Sequence, residues 1–424
     1  MTVPGAVLRP IVFVNRYFDP DESATSQMLT DLTRSLATQG LRVRVVCSRQ
    51  LYTDAGACLP RTEMRGGVEV ERVATTRFGR ARLAGRAMDY ASFYAAAAIA
   101  LWRHLEAGDV LIAKTDPPLI GVVCAAVARL KGARLVNWQQ DVFPEVATRI
   151  TPKFLPRWID RLLKRGRDWS MRVADVNVLI SPRMLEHYRA RGIAPERLRV
   201  IENWADAAIK AQPPATSRLR RRLGLEHQLV VCYSGNLGRA HEFDTLAGAA
   251  ELLRDDPRIV FLIVGGGARM AALETAVAER ALESFRFLPY QPRAELSDSL
   301  AAADVHLVSL LPPLEGLILP SKLYGILAAG RPVAFIGDAE GDIARLLRES
   351  GAGVQVDVGA PAALAAALRQ LRAEPALCAI MGERARAIFE QRYTLAHAVE
   401  RWRAVLAVTR GAHGAGASPP ELSG

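Results

Sequence analysis

LVVCYSGNLG (Leu229–Gly238), HEFDTLAGAAELL (His241–Leu253) and IVFLIVGGG (Ile259–Gly267) decide the fold. An apolar run of strand length enters a glycine-containing loop, a helical pattern follows, and a second β-branched run ends in three glycines. Strand, helix and strand joined by short links form the βαβ unit of a doubly wound sheet, which binds ligands outside the carboxyl ends of its strands. FRFLPYQP (Phe285–Pro292), DVHLVSL (Asp304–Leu310), PVAFIGD (Pro332–Asp338) and GVQVDV (Gly353–Val358) continue as strand candidates.

Upstream lies AQPPATS (Ala211–Ser217), a proline-rich break of linker composition. The same alternation precedes it, in IVFVNRYF (Ile11–Phe18), LRVRVVCS (Leu41–Ser48), GGVEVERV (Gly66–Val73), DVLIAKTDPP (Asp109–Pro118), RLVNWQQDVFPE (Arg134–Glu145), DVNVLISP (Asp175–Pro182) and RLRVIENWAD (Arg197–Asp206). Alternation that stops and restarts predicts two similar α/β domains with a cleft between them, over residues 1–210 and 211–388. A chain of 424 residues is too long for one typical core. From about Phe389 an amphipathic helix is expected to 409, and residues 411–424 read as a structureless tail.

With 50% apolar and 23% charged residues, the composition is that of a globular protein. The net charge of +11 favours anionic partners: nucleotides, diphosphates, nucleic acid or an acidic membrane face. Five scattered cysteines without a CxxC pair read as reduced and cytosolic, not as a metal site. The first apolar run is too short for a signal peptide, and no run approaches the roughly 18 apolar residues of a spanning helix. The expected placement is therefore cytoplasmic, soluble or peripheral. Two stretches bear on the choice. Arg77–Leu105 sets four arginines before an apolar helix. Pro152–Arg172 surrounds Phe154, Leu155, Trp158, Ile159, Leu162 and Leu163 with Arg157, Arg161, Lys164, Arg165 and Arg167. Such a composition suits a helix lying in an anionic lipid surface, and equally a helix packing its apolar stripe on the domain.

LLPPLEGLILPSKLYGILAAGRPV (Leu310–Val333) holds the candidate chemistry. A strand end leads to a loop with one carboxylate, Glu315, and then to a helix opening at Pro320-Ser321-Lys322 and closing at Gly330. A helix N-terminus with an adjacent lysine is a ready anion site.

In order along the chain, IENWAD (Ile201–Asp206), YSGNLG (Tyr233–Gly238), IVGGG (Ile263–Gly267), FRFLPYQPRAELSDSLAAADVHLVSL (Phe285–Leu310), EGLILPSKLYGILAAGRP, FIGDAEGD (Phe335–Asp342) and SGAGVQVDVGAPAALAAAL (Ser350–Leu368) resemble the GT-B glycosyltransferases of family 4. The Glu315–Pro332 segment with FIGDAEGD is similar to the colanic-acid and O-antigen branch. The resemblance implies two facing Rossmann-like domains, the donor mostly on the second, and a last helix crossing back to the first. It also implies retaining transfer from a UDP- or GDP-sugar without a metal or other cofactor. The acceptor would be a saccharide, soluble or carried on a polyprenyl diphosphate, at the inner membrane face.

The sequence departs from that family's pattern at the site. A second glutamate is expected where Gly325 stands, and the first would then fall at Leu317, beside the actual Glu315 and Gly316. Asn236 and His241 occupy the places of the usual diphosphate arginine and lysine, with Arg239 between them. The leaving diphosphate must still be neutralised where its charge grows. Arg239 and Lys322 are the candidate cations, with a solvated loop arginine as the alternative reading of Arg239. Gly235, Asn236, Gly238 and Gly265 let the backbone approach phosphates, as they would in a plain turn. Glu315 and Gly316 are placed for sugar hydroxyls or ribose, and Pro289 or Tyr290 for the base. On the first domain Asp141 is the candidate catalytic carboxylate facing the sugar, or a cap of the turn before Pro144. Glu22 and Ser23, in the loop Asp19–Ser26, would cover the donor or position the acceptor. His104 and His187 read as structural. Two rival functions remain in view: a nucleotide-sugar epimerase of the same fold, and a basic nucleic-acid-binding protein, for which no reading motif is present.

Overall fold

The structure is a computed structural model that describes residues 9–52, 54, 56–79, 83–152, 155–206 and 208–411. The first half of the chain runs β1 (Ile11–Val14), α1 (Ala24–Thr38), β2 (Val43–Ser48), β3 (Thr62–Arg65), β4 (Val68–Val73), α2 (Leu83–His104), β5 (Val110–Lys114), α3 (Ile120–Lys131), β6 (Arg134–Trp138), α4 (Glu145–Ile150), α5 (Arg157–Val173), β7 (Val176–Leu179), α6 (Pro182–Ala190) and β8 (Leu198–Val200). Its eight strands form one sheet in the order β3-β4-β2-β1-β5-β6-β7-β8, parallel except for the β3–β4 pair. β1, β5 and β7 are buried at every residue, as strands covered on both faces require.

The second half runs α7 (Arg218–Arg222), β9 (Leu229–Asn236), α8 (Asp244–Leu252), β10 (Ile259–Gly266), α9 (Met270–Glu279), β11 (Phe285–Leu288), α10 (Leu296–Ala301), β12 (Val305–Ser309), α11 (Lys322–Ala328), β13 (Val333–Ile336), α12 (Asp342–Ser350), β14 (Gly353–Val356), α13 (Pro361–Ala373), α14 (Pro375–Arg392) and α15 (Leu395–Gly411). Six parallel strands order as β11-β10-β9-β12-β13-β14. The two doubly wound sheets are those expected from the restarted alternation.

The hairpin partner β3 has no counterpart in the sequence reading. TEMR carries no apolar run, and its residues are exposed or half-buried at an edge. Gly66 and Gly67, both at positive φ, make the turn into β4. The returning helix begins at Leu395 and not at Phe389, which ends inside α14. The expected tail, beyond Gly411, falls outside the described residues.

α15 packs on the first domain. Trp402 is fully buried, with its ring 4.9 Å from Trp138 at an edge-on 65°, and Trp138 stacks in turn on Trp204 at 6.0 Å. Such pairs add about 0.5–1.5 kcal/mol each beyond their burial. Ala398, Val399, Val405 and Leu406 join the same cluster. Arg392 and Arg401 both pair with Glu202, just before the linker. The chain thus crosses between the domains at the linker and again at the α14–α15 bend.

Direct contacts also join the halves at their strand exits. The Val142 amide donates to the Leu317 carbonyl at 2.8 Å, and the Arg183 amide to Asp342 Oδ1 at 3.3 Å. Arg293 pairs with Asp206 at 2.5 Å.

Candidate active site

On the second domain, β9 and β10 end in register, with Gly235 opposite Gly265 one residue before the last pair. Both have strongly positive φ, 120° and 130°, and a Cβ on Gly265 would collide with the Gly235 carbonyl. Only glycine lets the two strand exits close on each other in this way. The Tyr233 hydroxyl donates to the Asn236 carbonyl at 3.0 Å and pins the loop from below.

Lys322, the first residue of α11, lies behind this loop. Its Nζ sits 3.5 Å from the centre of the Tyr233 ring, and a Cβ on Gly235 would stand 3.8 Å from its Cε. The ammonium is buried and makes no hydrogen bond to any described residue. Burial lowers its pKa to about 7. Ser321 before it is exposed and its side chain caps no amide.

His241 packs edge-on to Tyr233, with ring centres 5.8 Å apart. Its Nδ1 lies 2.6 Å from the Ser309 carbonyl and must donate there, because a carbonyl only accepts. Burial, then the Lys322 charge, lowers its pKa to about 4. It is therefore neutral at neutral pH, and Nε2 is left as an acceptor. Gly235, His241, Gly265 and Lys322 are thus brought together. Asn236 and Arg239 are exposed on the rim, and Arg239 has no ion-pair partner among the described residues. Tyr290, 60% exposed, lies against Gly266, where a Cβ would meet its ring at 3.2 Å.

Glu315 stands apart from this cluster. Its carboxylate lies at the Gly341–Asp342 opening of α12, where a Cβ on Gly341 would collide with it. Neither oxygen makes a hydrogen bond to any described residue; the Asp342 amide favours the charged form without reaching bonding geometry. Burial, then the Asp342 charge, raises its pKa to about 7. Gly316, at φ 72°, meets the Arg183 carbonyl of the first domain, to which a Cβ would stand at 3.1 Å. Leu317 is buried and gives its carbonyl to Val142. Gly316 and Leu317 belong to the contact between domains, whereas Glu315 packs within the second. A cavity of about 290 Å³ nearby, lined by Ser181, Tyr324, Asp342, Arg345 and Arg392 among others, includes none of the glycine-loop residues.

On the first domain, Asp141 follows β6 and opens to solvent. Dense protein around it, then the Asp116 carboxylate, push its pKa up to about 6, while Lys114 pulls it down. Water reaching the carboxylate moderates the rise. Neighbouring Gln140 is committed to structure: it exchanges two amide hydrogen bonds with Asn203 at 3.1 and 2.9 Å. Ser23 is tied down as well, its amide donating to Asp21 Oδ1 at 2.9 Å and its hydroxyl to the same atom. Glu22 is exposed. His104 sits 3.1 Å from Glu71, and His187 packs edge-on to Tyr188. The sequence reading passed over Tyr233, Lys114 and Asp116. For Lys114 one signal existed, a lysine inside an otherwise apolar strand.

Two family descriptions match the chain: residues 24–204 a glycosyl transferase 4-like domain, and residues 216–388 the glycosyl transferases group 1. The chain belongs to the GT-B glycosyltransferases. A putative colanic acid biosynthesis glycosyl transferase of Escherichia coli, WcaI, is 31% identical over 59% of this chain and 65% of its own. The probable glycosyltransferase WbjE of Pseudomonas aeruginosa is 26% identical over 72% and 76%. Among solved structures, HepE of Anabaena in complex with UDP superposes with a TM-score of 0.71 at 17% identity, over 94% of this chain and 99% of that one.

Proposed function

We propose that this glycosyltransferase moves a sugar from a UDP- or GDP-sugar to a growing saccharide of a bacterial surface polysaccharide, with retention at the anomeric carbon. The observation that carries the reading is Lys322: a buried ammonium with no hydrogen-bond or ion-pair partner among the described residues, set behind a glycine loop at two strand exits. An unpaired buried cation is costly, and a diphosphate on the loop would complete it. The anomeric carbon–diphosphate bond breaks, and the nucleoside diphosphate leaves with the electron pair. The acceptor oxygen bonds to the same carbon, and its proton passes to Asp141 or to the leaving phosphate. Lys322 then faces charge that grows during the step, where a fixed cation is most effective. No resident metal or other cofactor is needed for this role.

Gly235 and Gly265 admit the phosphates to backbone amides, with Asn236 and Arg239 on the rim and Tyr290 offering its ring to the base. His241 Nε2 and Ser321 remain for sugar or ribose hydroxyls. Gly316 and Leu317 serve through the domain contact they make, and Glu315 from the opening of α12. Glu22, Ser23 and Asp141 border the acceptor. The UDP bound by HepE supports a uridine donor, and the description of the Escherichia coli relative supports surface polysaccharide.

A lipid-linked acceptor at the cytoplasmic face of the membrane fits the helical layer of the first domain. α2, α3 and α5 pack side by side and turn Trp102, Leu130, Trp158 and Leu162 outward among Arg103, Arg129, Arg157, Arg161 and Arg165. Among the described residues no helix is long and apolar enough to cross a membrane.

The test incubates the protein with UDP- and GDP-sugars, with and without lipid-linked saccharide. Free nucleoside diphosphate and a lengthened saccharide should form only when donor and acceptor are both present. Conversion of the nucleotide sugar without acceptor would make the protein an epimerase and refute the reading.

A further inference from the structure

α2 is apolar on two opposite faces. Its inner face carries Phe93, Ala97, Ala100 and Leu101 into the core against α3. Its outer face repeats at Met88, Ala91, Ala95, Ile99 and Trp102, three or four residues apart along one side of the helix. All five are exposed, Met88 by 51% and Ile99 by 53%. The stripe runs for about 21 Å. Between Asp89 and Arg103 the helix has no charged residue. A helix apolar on both sides is stable when both are covered, so the outer face calls for a partner that is hydrocarbon.

The stripe opens on a built feature. Phe78 lies in the loop after β4, and a Cβ on Gly85 would stand 2.9 Å from its own Cβ. Phe78 therefore rests on the first turn of α2, beside Met88 on the helix surface. Buried Asp89 fixes this loop: it accepts from the Thr76 hydroxyl at 2.7 Å and from the Phe78 and Gly79 amides at 3.0 Å each. Asp89 also pairs, at 3.7 Å, with Arg16 at the exit of β1. The loop is held, yet the Phe78 ring is 59% exposed. At the far end Trp102 stands beside Arg103, with the Lys131 ammonium 4.9 Å from its ring centre.

We propose that the outer face of α2, with Phe78 at its cleft end, seats the hydrocarbon chain of a polyprenyl-linked acceptor. The proposal rests on the lipid-linked acceptor proposed above and adds where its chain lies. Contact with a lipid surface alone asks for apolar side chains set among cations, as on α5, where Trp158 and Leu162 alternate with Arg157, Arg161 and Arg165. The α2 stripe has no such cations along its length. It begins at the strand exits, where an acceptor must be delivered, and ends at the layer of outward tryptophans and arginines. A chain lying on it keeps its anionic end at the first domain's strand exits and leaves past Trp102.

The experiment incubates the full chain, in detergent micelles, with a polyprenyl phosphate that carries a diazirine midway along its chain. A phosphatidylglycerol with the same group in an acyl chain is run in parallel, and labelled peptides are mapped after illumination. The polyprenyl probe should label residues 88–102 saturably, and unlabelled polyprenyl phosphate, but not phosphatidylglycerol, should displace it. Met88→Glu with Ile99→Glu should cut this labelling at least about tenfold, because the chain would have to cover carboxylates, and should keep the thermal transition. Phosphatidylglycerol that labels α2 equally, or displaces the probe, would assign the stripe to bilayer contact and overturn the seat. Labelling that falls elsewhere or survives the double variant would overturn it too, as would a parent dimer that the double variant dissociates. Should that variant give no cooperative transition, Met88→Gln with Ile99→Gln is held to the same outcomes. Transfer assays run alongside separate the two readings. Transfer to a lipid-linked saccharide without α2 labelling overturns the seat alone. Transfer to soluble saccharides only removes the lipid-linked acceptor, and the seat with it.

Discussion

At Lys322 two demands oppose each other: burial favours a neutral amine, and diphosphate binding needs the ammonium. With a pKa lowered to about 7, the empty site is mostly charged below that pH and mostly neutral above it. Nucleoside diphosphate affinity should therefore be level from about pH 6 to 7. It should then weaken as pH rises, by up to about tenfold per unit. Calorimetric titration of UDP or GDP across that range checks this, and a level profile to pH 9 would contradict it. The same shift acts on stability. Above about pH 7 the unfolded chain holds a proton that the folded one has lost, so the empty protein gains stability as pH rises from there toward the ordinary lysine range. The position of Lys322 was legible in the sequence as the lysine opening a helix after a strand exit, whereas Ser321 beside it caps no amide. Glu315 was legible as a lone carboxylate, but its direction was not. Spacing does not encode that its side chain turns to the opening of α12, a choice made by tertiary packing within the second domain. Lys114 left one signal, a lysine within the otherwise apolar VLIAK, but one charge does not change the strand assignment.

Among the elements, α5 is the clearest case of a pattern read correctly and left undecided. Its periodicity fixed an amphipathic helix, but whether the apolar stripe faced protein or solvent depended on the neighbours. In the fold the opposite stripe is buried. Arg167 and Asp168 point inward, with Arg167 bonded to Glu145 at 2.5 Å, while Trp158 and Leu162 are 67% and 59% exposed. A helix that buries its ion pairs and presents tryptophan and leucine outward among arginines supports the proposed contact with an anionic bilayer surface. Sedimentation with vesicles should show binding that rises with anionic lipid and falls with salt. Trp158→Glu with Leu162→Glu should reduce it several-fold while leaving the thermal transition in place. Binding indifferent to both the substitutions and lipid charge would contradict the assignment. Phe154, counted with this stripe in the sequence, lies outside the described residues. The parallel strands were legible because each is an apolar run closed by turn residues. β3 was not, because an exposed edge strand needs no apolar pattern.

At the scale of the molecule, two sheets present their strand exits to one another and the chain is stitched across them. The Val142–Leu317 and Arg183–Asp342 hydrogen bonds, the Arg293–Asp206 pair and the return of α15 hold the first domain's Asp141 and the second domain's glycine loop in one body. The restart of alternation after Ala211–Ser217 made this architecture readable. The closeness of Gly316 to Arg183 was not, since no local pattern reports which loops of two domains touch. The central claim is that this cleft holds the diphosphate of a nucleotide sugar on Lys322. Calorimetric titration of UDP and GDP into the parent protein and Lys322→Met, with chelator present, tests it most directly. At least one nucleotide should bind the parent and bind Lys322→Met at least about tenfold more weakly, the loss expected for one charge-assisted contact of about 1.5–3 kcal/mol. Equal affinity for both proteins, or no binding of either nucleotide to the parent, would contradict the account.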